Sequence, residues 1–284
     1  MFEVIFLVMV GLLWLVFSSV QDLKTREVSN WLSFSLIIFV LGFRLFYSLF
    51  FESFASFDNF FYQGLVGLGI FYLVGEFFYH GKLFAGGDTR LMRAMGPVLA
   101  FSSSFLTNIK IFALFFILFL LAGSIYGFVW VGVLSCKNFK RFKIQLKKEF
   151  VKRKNLFYGV MVLGLVVMAF GFIDSLWLFF GALIFIFPYL YAYTKAVDES
   201  CMVKSLPANK LTEGDWLCKD VRVGGELIKA DWNGLSSESI LLLKKHKKQV
   251  LIRHGIPFVP VFLISFLVLI LIWFFDIELW KTFW

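Results

Sequence analysis

The sequence predicts an all-α polytopic membrane protein with about eight transmembrane helices and a small cytoplasmic α+β cap, ordered ββαβ, before the last of them. Three observations lead there. Hydrophobic residues make up 60% of the 284, with 40 Phe, and mean hydropathy is +0.83, far outside the usage of soluble domains. Apolar runs of about 17–25 residues, the length that spans a bilayer, recur along the chain. One long polar stretch, 196–255, breaks that rhythm and carries strand and turn signals instead.

The runs lie near 4–20, 31–51, 60–79, 108–135, 156–173, 176–195 and 257–275, and an eighth, about 89–106, is shorter and more polar. The first has no basic residue ahead of it and meets no small-residue cleavage pattern before Asp22, so it is expected to stay as a permanent helix. The chain then divides into a membrane core (1–135), a basic loop (136–155), two additional spans (156–195), the cap (196–255), and a last span with an external C-terminus (256–284). The Phe excess suits lipid-facing and interhelical packing.

Loop charge orients these runs. Lys24 and Arg26 follow the first, Lys82 follows the third with Arg90 and Arg93 close behind, and nine Lys or Arg face the single Glu149 in 137–155. The alternate loops, 52–59, 101–110 and the turn at Asp174, contain only Lys110. The positive-inside rule puts the first set in the cytoplasm and both termini outside, provided the eighth segment crosses. The net charge of +9 therefore reads as orientation and contact with anionic membrane lipids, not as nucleic-acid binding. Cys136, Cys201 and Cys218 form no CxxC pair, the three His have no metal spacing, and no nucleotide-binding, serine-hydrolase or zinc-protease motif is present. No cofactor and no metal are expected.

In the cap, 216–223 alternates apolar and polar residues, Gly224-Gly225 supplies a two-residue hairpin turn, and 226–232 is the return strand. Ser236 caps a helix to about Lys247, and 249–253 is a third short strand. Pro257 and Pro260 stand at the entry of the last helix, where proline costs least. The cap acids Asp198, Glu199, Glu213, Asp215, Asp220, Glu226 and Asp231 are candidates to receive a basic peptide segment.

Two acids are placed for chemistry. Asp22 lies at the exit of the first run, and Asp88 lies behind Gly86 and Gly87 at the entry of the short one. Two close carboxylates cannot both ionise, so one activates water while the other, protonated, polarises a scissile carbonyl. Glycines beside Asp88 admit a substrate backbone or a neighbouring helix. Lys24 and Arg90 each follow an acid by two residues. The bland alternatives are a helix-end acid neutralised by Lys24 or Arg26, and an acid capping a helix after a Gly-Gly turn. Glu76 ends the third run near the same face, where it is either a boundary acid or a group that tunes the site's protonation or meets a basic substrate. Arg44 is seven residues from the end of its run at Phe51, within snorkelling reach of the surface.

Asp22-Leu23-Lys24-Thr25-Arg26-Glu27-Val28-Ser29-Asn30 resembles the first aspartate motif of type IV prepilin peptidases, and Gly86-Gly87-Asp88-Thr89-Arg90 resembles their second, the GxGD signature. Gly214-Asp215-Trp216-Leu217, Gly234-Leu235-Ser236 and Gly255-Ile256-Pro257-Phe258-Val259-Pro260 are similar to the C-terminal part of the archaeal branch, the prepilin and preflagellin peptidases. The resemblance implies an intramembrane aspartyl endopeptidase that removes short basic leaders from pilin-like or flagellin precursors, with Asp22 and Asp88 as the catalytic pair. Ala85 stands where the signature has its first glycine. The paired-cysteine insert of members that also methylate is missing, so methylation is not expected. The other readings are a presenilin-like GxGD protease and, from a different class, a proton- or cation-coupled transporter. Neither explains the motif around Asp22.

Overall fold

A computed structural model describes residues 2–52, 54, 56–232 and 234–275; the expected external C-terminus, beyond 275, lies outside them. The chain forms two compact units, one made of residues 1–127 with 256–284, the other of 128–255.

The first unit contains α1 (Phe2–Thr25), α2 (Asn30–Phe51), α3 (Phe60–His80), α4 (Gly86–Leu99), the first two-thirds of α5 (Phe105–Lys137), and α10 (Val259–Phe274). The last helix thus belongs with the first. Each long helix buries one stripe: Leu7, Gly11, Leu15, Ser18 and Asp22 on α1, and Leu32, Leu36, Val40, Arg44 and Ser48 on α2. The stripes follow the helical repeat, and the opposite faces carry the exposed Phe and Leu residues. The core is aliphatic and aromatic, with Met92, Met95, Phe115, Phe119, Phe262 and Phe266 almost fully enclosed.

The eighth expected run folds as α4, only 14 residues long. At ~1.5 Å per residue it spans about 21 Å, less than the ~30 Å of a hydrocarbon core. The helix ends at Leu99, two residues past the internal Pro97, where Ala100 leaves the helical conformation at φ −75° and ψ 76° ahead of the serines of 102–104. It is also the most enclosed helix of the unit, with every residue from Ala94 to Leu99 buried. Its contact with α3 is made backbone to backbone: a Cβ on Gly67 would lie 2.4 Å from Gly96 O, and one on Gly96 would lie 2.2 Å from Gly67 O.

Arg44 does not snorkel. It is fully buried, donating from Nε to Pro97 O at 2.9 Å, from Nη1 to Phe60 O at 2.7 Å, and from Nη2 to Ala100 O. The short α4 leaves C-terminal carbonyls with no helical partner, and a planar five-donor fork satisfies them better than lipid headgroups could. Arg44 is therefore the clasp that fixes α4 against α2 and the start of α3.

The second unit contains the end of α5, then α6 (Phe139–Lys152), α7 (Lys154–Ala169) and α8 (Ser175–Val197). The basic segment expected as a loop, 136–155, is largely the helix α6. Its inward side presents Phe142, Leu146 and Glu149, and the exposed remainder mixes lysines and Arg141 with Phe139, Ile144 and Val151. The cap follows: β1 (Val203–Pro207), β2 (Trp216–Leu217), β3 (Val221–Val223), β4 (Glu226–Ile228), α9 (Ser237–Lys245) and β5 (Gln249–Arg253). The strand order is β1-β5-β2, antiparallel, with Val203 opposite Arg253 and Leu217 opposite Ile252; β3 and β4 pair separately. The single strand expected over 216–223 is thus two, and β1 is an additional strand. Gly224 and Gly225 make the hairpin turn at φ 59° and 90°, and Ser236 caps α9 by accepting the Ser239 N–H.

Among the described residues, six helical segments are long and apolar enough to cross a membrane: Phe2–Thr25, Asn30–Phe51, Phe60–His80, Phe105–Lys137, Lys154–Phe172 and Ser175–Met202. The helix α10, at 16 residues, is apolar but shorter.

Candidate active site

Asp22 is set by the way α1 ends. The Gln21 side chain accepts the Ser29 N–H at 3.2 Å and donates to the Ser29 hydroxyl, and Thr25 Oγ1 donates to Gln21 O and Glu27 O. Arg26 turns the chain at φ 61°, with its N–H on Asp22 O at 2.8 Å. The last turn of α1 is therefore tied to the start of α2, and Asp22 stays on the buried side, 5% exposed. Its Oδ2 accepts the Val259 N–H at 2.9 Å. Val259 is the first residue of α10, so the carboxylate meets a helix N-terminus, where free amides and the helix dipole suit an anion.

Asp88 is the third residue of α4. Its carboxylate accepts the Ala85 N–H in the manner of an acid reaching back across a first turn, while Thr89 donates to Ala85 O from both N and Oγ1. Asp88 lies outside the six long apolar spans and is half-buried. Burial first, and then the negative charge of Asp22, push its carboxyl up to about 7, against the pull of the Ala85 amide. The two acids are thus close enough for one charge to act on the other. Tyr126 of α5 is also within reach of the Asp22 charge.

Of the other residues singled out, Gly86 and Gly87 are helical, and neither has a positive φ. A Cβ on Gly87 would meet Val28 N and Cβ at 3.7 and 3.8 Å, so the start of α4 touches the loop that follows Asp22. Arg90 folds back over Gly86, its Nη2 3.0 Å from where a Cβ would be. Ala85 has φ −72° and ψ 165°, an extended conformation that any residue adopts, so the departure from the glycine signature carries no strain. Lys24 is exposed. Glu76 is engaged by the Arg93 guanidinium, and His80 Nε2 is 3.3 Å from its other oxygen. Among the described residues, no group of three or more His, Cys, Asp or Glu is placed to hold a metal ion.

In the cap, Asp215 accepts the Thr212 N–H at 2.9 Å, and Asp220 accepts the Ala230 N–H at 2.8 Å. Asp198 pairs with Lys195 and Arg253, and Glu199 with Lys195 and Gln145. These four acids serve local turns and ion pairs.

Four residues that contribute to the site carry no charge and were not visible as site residues in the sequence. Val259 contributes only a backbone N–H. Phe84 is 5% exposed, stacked on Phe78 at 4.7 Å and within 6.0 Å of Phe258, so it plugs the chain just before α4 to the chain just before α10. Gly96 and Gly67 let α4 sit against α3. The available signal was the 255–260 motif, which contains Val259 and Phe258.

Residues 9–132 match the model of the type IV leader peptidase family, a stretch that holds both Asp22 and Asp88 and leaves out the cap and α10. The resemblance expected from the two aspartate motifs is met by this match. No curated protein and no solved structure matches the chain.

Proposed function

We propose, taking the type IV leader peptidase match over residues 9–132 as premise, that Asp22 and Asp88 form an aspartyl dyad that cleaves basic leaders from pilin-like or flagellin precursors. The observation that carries this reading is the pairing itself. One acid ends α1, the other begins α4, and the charge of the first raises the second. In aspartyl hydrolysis one member is ionised and one protonated. Asp22, which accepts an N–H donor at a helix N-terminus, is the base, and Asp88 holds the proton.

The steps then balance. Asp22 takes a proton from water as the water oxygen bonds to the scissile carbonyl carbon, and Asp88 gives its proton to the carbonyl oxygen. The tetrahedral diol collapses as Asp22 passes its proton to the leaving nitrogen and the C–N bond breaks. Asp88 recovers its proton from the diol hydroxyl that becomes the new acid's carbonyl. No covalent enzyme intermediate is needed.

Loop charge supports a cytoplasmic site. Lys24, Arg26, Lys82 and Arg90 surround the two acids in sequence, and the same rule keeps a precursor's basic leader on the cytoplasmic side. In this topology the stretch 89–106, of which α4 is the helical part, takes the chain back across the membrane, and anionic lipids meet the lysines of α6. The test is cleavage of a pilin-type precursor by the purified protein in detergent, compared with Asp22→Asn and Asp88→Asn. Each substitution is expected to lower kcat by at least about 10³-fold, as loss of a group acting in both proton transfers does. Cleavage that survives either substitution rules out the dyad.

A further inference from the structure

Asp22 is not the only polar group on the buried face of α1. Ser18 and Ser19 lie one turn before it, 0% and 5% exposed, and among the described residues neither hydroxyl has a hydrogen-bond partner. A serine inside a helix ordinarily turns its hydroxyl back to a carbonyl of the preceding turn. Ser124 and Ser265 do so here, at 2.8 Å to Leu120 O and 2.7 Å to Val261 O. A buried hydroxyl without a partner destabilises the fold. Two adjacent ones, directly below a candidate catalytic acid, are a polar surface kept free for something else.

Their position says for what. At about 100° per residue, Ser18 and Ser19 stand about 40° to one side and about 60° to the other side of the Asp22 direction. Helical side chains lean toward the N-terminus, so the Asp22 carboxylate lies over the turn that carries the two hydroxyls. The carboxylate already accepts the Val259 N–H at 2.9 Å and the Phe258 backbone N–H. Deeper along the same face α1 is apolar, with Leu15 fully buried and Gly11 against Val98 and Phe266.

We propose that Ser18 and Ser19 are positioning residues that hold the water consumed in peptide hydrolysis against Asp22. The inference rests on the leader-peptidase reading above. An internal water makes about 2–4 hydrogen bonds. Asp22 accepts one from it, which completes the carboxylate's set of partners, and the two serines provide the others, on the side where the remaining α1 face is hydrocarbon. Neither serine takes up a proton in the reaction; that proton goes to Asp22. The hydroxyls fix the oxygen so that its free lone pair faces the scissile carbonyl.

The experiment compares Ser18→Ala, Ser19→Ala and the double variant with the unaltered full chain in detergent. It follows cleavage of precursors with a Lys/Arg-rich leader ahead of an apolar helix, together with thermal midpoints. Each single substitution is expected to lower kcat about tenfold and the pair about a hundredfold, with KM unchanged, the scale of a misplaced reactant. Thermal midpoints stay level or rise, because Ala removes a buried hydroxyl that no other protein group bonds. Ser18→Thr and Ser19→Thr, which keep the hydroxyl, retain most of the rate. Double-Ala protein that cleaves at the unaltered rate overturns the inference and leaves the dyad standing. Activity lost in step with a lowered midpoint assigns the serines to structure and overturns it too. Unaltered protein that leaves every such precursor whole overturns the leader-peptidase reading, and the inference with it.

Discussion

Asp88 shows how much a single residue's surroundings decide. An aspartate in water titrates near 3.8, and here burial and the Asp22 charge carry it up to about 7. Between those values the folded chain binds more protons than the unfolded one, so the Asp88 contribution to stability is greatest below about 4 and is lost as pH rises through about 7. Thermal midpoints of the purified protein are expected to fall across that window, and Asp88→Asn, neutral at every pH, should flatten the fall. If Asp88 is the acid of the dyad, kcat falls in the same direction as pH passes about 7, which a pH–rate profile of precursor cleavage measures. Arg44 makes the same point from the opposite charge. Its position near a helix end reads as snorkelling, yet its three carbonyl partners belong to α3 and to the end of α4, which no local pattern reveals.

At the scale of elements, the decisive one is α4. Its 14 residues are too few to cross a bilayer by themselves, and every residue from Ala94 to Leu99 is buried against other elements, so the helix depends on its neighbours. Gly67 and Gly96 bring it onto α3 with backbone touching backbone, and Arg44 closes its C-terminal end. Asp88 is held at the other end by this seat. Gly96→Leu is expected to force the two helices apart, at or beyond the ~1–3 kcal/mol of an overpacked core. The measurement is a thermal melt followed by helix content, alongside precursor cleavage. A variant with unchanged midpoint and unchanged rate shows that the contact does not seat Asp88. The helix α10 is the second such element. It contributes to the site by offering its N-terminus to Asp22, a role that the apolar pattern of 257–275 does not announce.

At the scale of the whole molecule, the family match over residues 9–132 holds both acids and leaves out α10 and all but the first few residues of the second unit. The second unit holds all of the net basic excess, with a dense basic cluster on and around α6, and a cap in which Asp215 and Asp220 serve turns and Asp198 and Glu199 form ion pairs. The charge-derived topology makes a prediction of its own. In a background free of Cys136, Cys201 and Cys218, single cysteines introduced as Lys24→Cys, Lys82→Cys, Lys147→Cys and Lys219→Cys should react with an impermeant thiol reagent only from the cytoplasmic side. Asp58→Cys and Ser103→Cys should react only from outside. Labelling of Ser103→Cys from the cytoplasmic side would mean that 89–106 does not cross, and the oriented site would have to be redrawn.

Hydrophobic periodicity, loop charge and turn chemistry determined a great deal: the long helices, the Gly224-Gly225 hairpin, the capped helix α9, and Asp22 and Asp88 as the two acids to watch. These are properties of neighbouring residues, and a chain displays them without folding. Tertiary structure decided that α4 stops at Leu99, that Arg44 turns inward, that Glu76 is engaged by Arg93, that a backbone amide of α10 binds Asp22, and that Ser18 and Ser19 are buried unpaired. Each of these turns on which distant groups compete for the same hydrogen bonds once water is excluded, and that competition exists only when the helices have packed.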